Sequence, residues 1–376
     1  MPMDFQNILS LFLAPTALTW RMGVMMLVGG VLVYLAIAKD MEPVLLLPIG
    51  FGAILTNLPL TGIASPEGLL GQLYAVGIAT EIFPLLLFIG LGAMTDFGPL
   101  LENPGMALLG AAGHLGIFAT ILLALGLGFD LASASSIAVI GTMDGPTAIF
   151  VAARIAPDLL APITVVAYSY MALVPIIQPP IMRLLTTPAE RTVRMPYTRQ
   201  EVSRTSRVLF PIVVTVFVSL LAPVASPLIA TIMFGNLMRE SGVVDGLANA
   251  ARSEIANVTT IFLGLAVGSR MTGAAFIRVE TLAILGLGLF AFVLDMAGGI
   301  LFGKLLYILS GKKFNPLIGS AGISAFPMSA RVVQRIGQEY DMENYLLMHA
   351  MGANVAGQLG SVVAGGVVLA MITQLL

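Results

Sequence analysis

Ile140-Gly-Thr-Met-Asp-Gly-Pro-Thr147 breaks an apolar run that begins at Ala132 and continues to Ala153. Gly145 permits unusual backbone angles and Pro146 removes a backbone donor, so a helix cannot run through this stretch unbroken. A carboxylate in such a place is costly unless it is paired, and charges inside apolar segments mark function by default. The freed carbonyls and the Asp144 carboxylate together offer the oxygen ligands that a hard cation prefers. The plainer reading is a turn aspartate that caps a helix at an interface.

The surrounding chain makes this a membrane question. Of 376 residues, 58% are hydrophobic and 10% charged, whereas a soluble domain carries about 25% charged residues. Lipid in place of water on the outer face resolves the shortage of polar surface. A net charge of −2 argues against nucleic acid as a partner. The chain has no cysteine and 2 histidines, His114 and His349, which excludes thiolate and multi-histidine metal sites. Met1–Ser10 lacks a basic n-region, so no cleavable signal peptide is expected.

Working outward, spans are expected over 22–38, 44–60, 78–94 and 106–127, then the broken segment, then 161–185 with a kink near Pro175. Residues 186–207 form a basic stretch that the positive-inside rule places in the cytoplasm. Further spans are expected over 208–224, 228–237, 258–267, 281–306 and 345–376, with a second broken segment at Pro316–Ala330. The second half echoes the first: Phe51-Gly52 and Phe234-Gly235, Phe88–Gly92 and Phe262–Ala266, Gly141–Thr147 and Gly319–Ala325, and Arg154-Ile155 and Arg335-Ile336 lie 174 to 183 residues apart. With both broken segments re-entrant, each half crosses an odd number of times, which inverts one half relative to the other. The expected fold is an all-α polytopic membrane protein of two inverted repeats, each about five spans plus a broken re-entrant segment. Its parts are residues 1–185, a cytoplasmic basic linker 186–207, and residues 208–376.

Other polar residues stand in apolar surroundings. Asn315-Pro-Leu-Ile-Gly-Ser-Ala-Gly-Ile-Ser324 offers Asn315, Ser320 and Ser324 as oxygen donors, or else a small-residue packing surface. Arg331 can neutralise an anion or snorkel to the interface. Tyr170 can face a cavity or belong to an interfacial belt. Asn354, between Gly352 and Gly357, needs another helix or an ion as partner. Asp295 and Glu81 are left outside the main site.

These residues lie in motifs that closely resemble the β subunit of the sodium-translocating decarboxylases acting on oxaloacetate, methylmalonyl-CoA and glutaconyl-CoA. The resemblance rests on Gly92–Leu101, Asp144-Gly-Pro-Thr147, Ala167–Pro175, Gln178–Met182, Phe234–Gly242, Asn315–Ser324 and His349–Gly357, and it covers almost the whole chain. It implies decarboxylation of carboxybiotin coupled to outward Na⁺ transport, with uptake of a cytoplasmic proton, in the inner membrane. It also implies a carboxyltransferase α subunit, a biotin carrier subunit, a small membrane subunit and a homo-oligomeric arrangement. Carried over residue by residue, Asp144, Asn315, Gly319, Ser324 and Asn354 would form the Na⁺ site. Arg331 would meet the carboxybiotin carboxylate, and Tyr170 would join proton transfer. No Met-Lys-Met biotinylation motif is present, so biotin arrives on a partner. The short connection Thr61–Gly77 favours the acyl-CoA enzymes, and Gly141-Thr-Met departs from the oxaloacetate pattern. From the residues alone, a standalone Na⁺/H⁺ or Na⁺/solute antiporter remains the alternative.

Overall fold

The computed structural model describes residues 17–39, 42–197 and 201–375. The signal-peptide reading of Met1–Ser10 lies outside them, as does part of the linker, residues 198–200. Among the described residues every regular element is helical. The helices used below are α1 (Trp20–Ala38), α2 (Pro43–Thr56), α3 (Ile82–Met94), α4 (Ala107–Ala112), α5 (Leu115–Gly126), α6 (Leu131–Ala138) and α7 (Gly145–Ile155). They continue with α8 (Leu160–Leu185), α9 (Arg204–Leu221), α10 (Ser226–Ser241), α11 (Ala256–Gly268), α12 (Val279–Leu309), α13 (Met328–Tyr340) and α14 (Leu347–Leu375).

Among the described residues, 5 helices are long and apolar enough to cross a membrane, and up to 7 if each of two bent pairs is one span. Of the shorter apolar helices, α2 stops at Thr56, short of the span expected over 44–60, while α6 and α7 are the two arms of the expected broken segment. The outer helices carry the signature of lipid contact. α1 buries Met25, Gly29, Leu32 and Ala36 along one stripe, while Leu27, Val31, Tyr34 and Ile37 stand exposed. That pattern places the apolar stripe against protein and leaves an equally apolar face for hydrocarbon.

The helices fall into two groups by contact. α1, α2, α3, α9, α10 and α11 pack mainly on one another; α4 to α8 pack with α12, α13 and α14. Among the described residues each half of the chain contains one π-helical turn, Tyr74–Ile78 before α3 and Ala251–Ile255 before α11. α8 bends by 64° between its Pro157–Met171 and Leu173–Leu185 portions. Pro175 accounts for this, because it cannot donate to the carbonyl four residues back and its ring crowds that carbonyl.

Both expected breaks are present. α6 tightens into a 3₁₀ turn over Val139–Thr142, Met143 takes φ +56°, Asp144 is extended, and α7 begins with Pro146 in its first turn. In the second break Asn315 caps a 3₁₀ turn over Pro316–Ala321, and the chain stays non-helical until α13. The two breaks are joined directly: the Ser324 N–H donates to the Thr142 carbonyl at 3.0 Å.

The basic linker is tied down rather than simply solvated. Asn315 Nδ2 donates to the carbonyls of Arg191 (3.0 Å) and Val193 (2.8 Å), and Asn344 Nδ2 donates to the Arg191 carbonyl at 2.9 Å. Arg194 pairs with Asp341 and Glu343 at 2.5 and 2.7 Å, and its hydrogen bonds hold the Asp341 carboxyl below the usual carboxylate range. Asn315→Asp replaces a double donor by an acceptor facing two carbonyls. Each lost bond of this kind costs about 1–3 kcal/mol. The variant is expected to expose the linker to limited proteolysis several-fold faster than wild type; an unchanged cleavage rate would show that the linker is held by other contacts.

Candidate ion site at the crossing of the two breaks

Asp144 occupies the N-cap of α7, and it is also buried, at 4% exposure. The capping reading and the intramembrane reading therefore both describe it, but its place is the protein interior. Its Oδ1 accepts from the Thr147 N–H at 3.3 Å. Oδ2 accepts from the hydroxyls of Thr147 (2.9 Å) and Ser361 (2.6 Å). The Ser324 hydroxyl lies beside the same carboxyl group without a hydrogen-bond partner of its own. Among the described residues no Lys, Arg or His nitrogen comes within 4.0 Å of this carboxylate. One carboxylate surrounded by hydroxyls suits a hard monovalent cation, since the hydroxyl oxygens can turn their lone pairs inward when the ion arrives.

The sequence pattern explains the geometry. An aspartate before Gly-Pro-Thr caps a helix through the threonine N–H and hydroxyl three residues on. Ser361 lies seven residues after Asn354 on α14, two helical turns further along the same face. The Tyr168 ring rests on Gly145, where a Cβ would come within 2.1 Å of it. A cavity of ≈ 330 Å³ reaches this point, lined among others by Asp144, Tyr168, Ser324, Gln358, Thr260 and Arg252.

Asp144 and Ser324 thus come together. Asn354 lies alongside, its Nδ2 donating to the Ile323 carbonyl at 2.7 Å and its Oδ1 buried without a partner. Gly319 packs on α12, where a Cβ would lie 2.0 Å from the Gly299 carbonyl oxygen. Asn315 spends its side chain on the linker and on the Leu317 N–H (3.0 Å). Tyr170 donates to the Leu285 carbonyl at 2.7 Å; the tyrosine that lines the cavity is Tyr168. Arg331 is exposed on α13 and does not line this cavity. Among the described residues no three His, Cys, Asp or Glu side chains cluster as a metal site.

Sequence reasoning passed over Thr147, Tyr168, Ser361 and Gln358. Thr147 was within the quoted motif, and Ser361 was reachable through helical spacing from Asn354. Ser361→Ala removes the 2.6 Å bond to Oδ2. Hydrogen bonds to charged groups contribute about 1.5–3 kcal/mol. The Na⁺ concentration for half-maximal activity is expected to rise roughly tenfold, read from a Na⁺ titration of turnover. An unchanged titration would remove Ser361 from the ion shell.

Asp295, wholly buried on α12, lies behind the first break. Its Oδ1 accepts the Gly116 N–H at 2.5 Å, and its Oδ2 would be 2.5 Å from a Cβ on Gly141. Glu81, in the left-handed region at φ +63°, forms an ion pair with Arg154.

Residues 21–372 match the family described as the Na⁺-transporting oxaloacetate decarboxylase beta subunit. The chain is 52% identical over 356 residues to the glutaconyl-CoA decarboxylase subunit beta of Acidaminococcus fermentans, covering 95% of this chain and 94% of that one. It is 51% identical over 358 residues to the methylmalonyl-CoA decarboxylase subunit beta of Veillonella parvula, covering 95% of each. It is 46% identical over 407 aligned positions to the oxaloacetate decarboxylase beta chain of Klebsiella pneumoniae, covering 92% of this chain and 94% of that one.

Proposed function

The chain belongs to the beta-subunit family of the Na⁺-transporting decarboxylases, and from that membership we propose that it decarboxylates carboxybiotin and drives Na⁺ outward through the Asp144 site. The observation that carries this reading is a buried, hydroxyl-lined carboxylate at the crossing of two helix breaks, reached by an open cavity. In the reaction the bond between the ureido nitrogen and the carboxylate carbon breaks. The bonding pair goes to nitrogen, CO₂ leaves, and nitrogen takes one proton, which we assign to the cytoplasmic side. Carboxybiotin would come from a biotin carrier subunit loaded by a carboxyltransferase α subunit, with a small membrane subunit completing the assembly. The short Thr61–Gly77 connection points to an acyl-CoA rather than oxaloacetate as the parent substrate.

Coupling requires two conformations with opposite access and different affinity for the ion. Two inverted halves would supply them. Three contacts support a two-fold relation: the Phe83–Phe262 ring stack, the Gly116–Asp295 hydrogen bond and the Thr142–Ser324 hydrogen bond. Each joins residues separated by about the 179 positions between Gly116 and Asp295. Equivalent residues touch only where a symmetry axis passes between them. The group holding both breaks would be the moving part, and the group containing α1, α2, α3, α9, α10 and α11 the frame.

The test is the purified complex in liposomes, supplied with free carboxybiotin with and without Na⁺, with ²²Na⁺ uptake followed in parallel. Na⁺-dependent decarboxylation with coupled uptake is expected. Uptake that ignores carboxybiotin and follows a pH gradient would establish an antiporter instead.

A further inference from the structure

The cavity that ends at Asp144 has one arginine in its wall, Arg252. It belongs to the π-helical turn Ala251–Ile255. Such turns insert a residue into the helical ladder, re-aim the side chains beside them, and recur at functional sites. Here Arg252, Ala256 and Thr260 form a row along one helix face, and all three line the cavity. A row of that length covers about 12 Å of helix. Arg252 is exposed and stands on the cavity stripe and not on the lipid-facing side of α11, where Val258, Ile261 and Phe262 stand exposed.

Among the described residues Arg252 also lacks an acidic partner. By contrast, Arg239 and Arg207 each pair with Asp96 and Glu240, and Arg154 pairs with Glu81. Among the described residues no carboxylate oxygen lies within 4.0 Å of Arg252. The carboxylates that share its cavity are Glu42 and Asp144. An unpaired guanidinium keeps its planar fork available, and that fork matches a carboxylate in bidentate geometry.

We propose that Arg252 is the substrate-binding residue that captures the N-carboxylate of carboxybiotin in the Asp144 cavity. The proposal rests on the carboxybiotin reading above and deepens it. Asn257 and Gln358, in the same wall, supply neutral donors and acceptors of the kind a ureido ring uses. Arg252 binds the charge that is present before the bond breaks and dispersed afterwards. Its contribution therefore falls on substrate capture and not on the chemical step.

The experiment uses the full complex in liposomes and free carboxybiotin as the probe. For Arg252→Ala the KM for carboxybiotin is expected to rise about 10- to 100-fold, the scale of a lost charge-assisted hydrogen bond. kcat and the Na⁺ titration should stay within about threefold of wild type. Arg252→Lys keeps the charge but loses the fork, so its KM should fall between the two. A KM within twofold of wild type in Arg252→Ala overturns the proposal. Should that variant not assemble, an unchanged KM in Arg252→Lys does the same. Failure of the wild-type complex itself to decarboxylate free carboxybiotin would instead sink the underlying function.

Discussion

Asp144→Asn is expected to abolish Na⁺-dependent decarboxylation and the coupled ²²Na⁺ uptake. Asparagine keeps the shape and caps a helix about as well as aspartate, so the start of α7 should survive. What disappears is the negative charge among the hydroxyls of Thr147, Ser324 and Ser361. Removing one partner of a buried charge pair costs about 3–5 kcal/mol, which weakens ion binding about 100- to 1000-fold or more. Assembly with the partner subunits, checked by co-purification, should be normal. An assembled Asp144→Asn complex whose Na⁺ titration matches wild type would end the assignment of Asp144 to the ion site.

Gly319→Ala is expected to fail in a different way. The added methyl group would sit 2.0 Å from the Gly299 carbonyl oxygen and 3.1 Å from the Ile300 Cα, both backbone atoms of α12. Neither can move without shifting the helix. Overpacking a close contact costs about 1–3 kcal/mol and occasionally more, enough to lower the thermal midpoint of the solubilised protein by roughly 5 °C. Added Na⁺ should not restore it. A variant of normal thermal stability with only a raised Na⁺ requirement would mean that Gly319 acts through ion coordination, the role implied by the family resemblance. The two substitutions therefore separate the ion's charge partner from the packing that holds the second break in place.

Much of the fold was legible because its causes are local. Gly141–Pro146 and Asn315–Ser324 break their helices where the residue types require it, and Pro175 bends α8 for the same reason. The contacts between distant segments were not legible. Nothing near Asn315 announces that its amide is spent on the linker 122 to 124 residues away. Glu81 stood outside the main site with no partner in view, and only the fold brings Arg154 to it. The candidate site divides along the same line. Asp144 and Ser324 were marked by the breaks that contain them. Tyr168 was masked by Tyr170, because two tyrosines two positions apart look alike until the helix phase is known. Arg252 was hidden by the π-helical turn, which alters the side-chain phase that a regular helix would give.

Asp295 meets Gly116 and Gly141 at the seam between the two halves. Where position and counterpart touch, an assembly of two identical half-chains would have to place the same residue on both sides. Two aspartates would press one carboxylate against the other, and two glycines would leave the Gly116 N–H without this acceptor. On the two-fold relation proposed above, a single polypeptide escapes that choice, because each member of a related pair of positions is free to diverge. Under that relation, one continuous chain would admit a lone acidic side chain to the seam, and with it a chemical polarity that no symmetric pair of half-proteins can have.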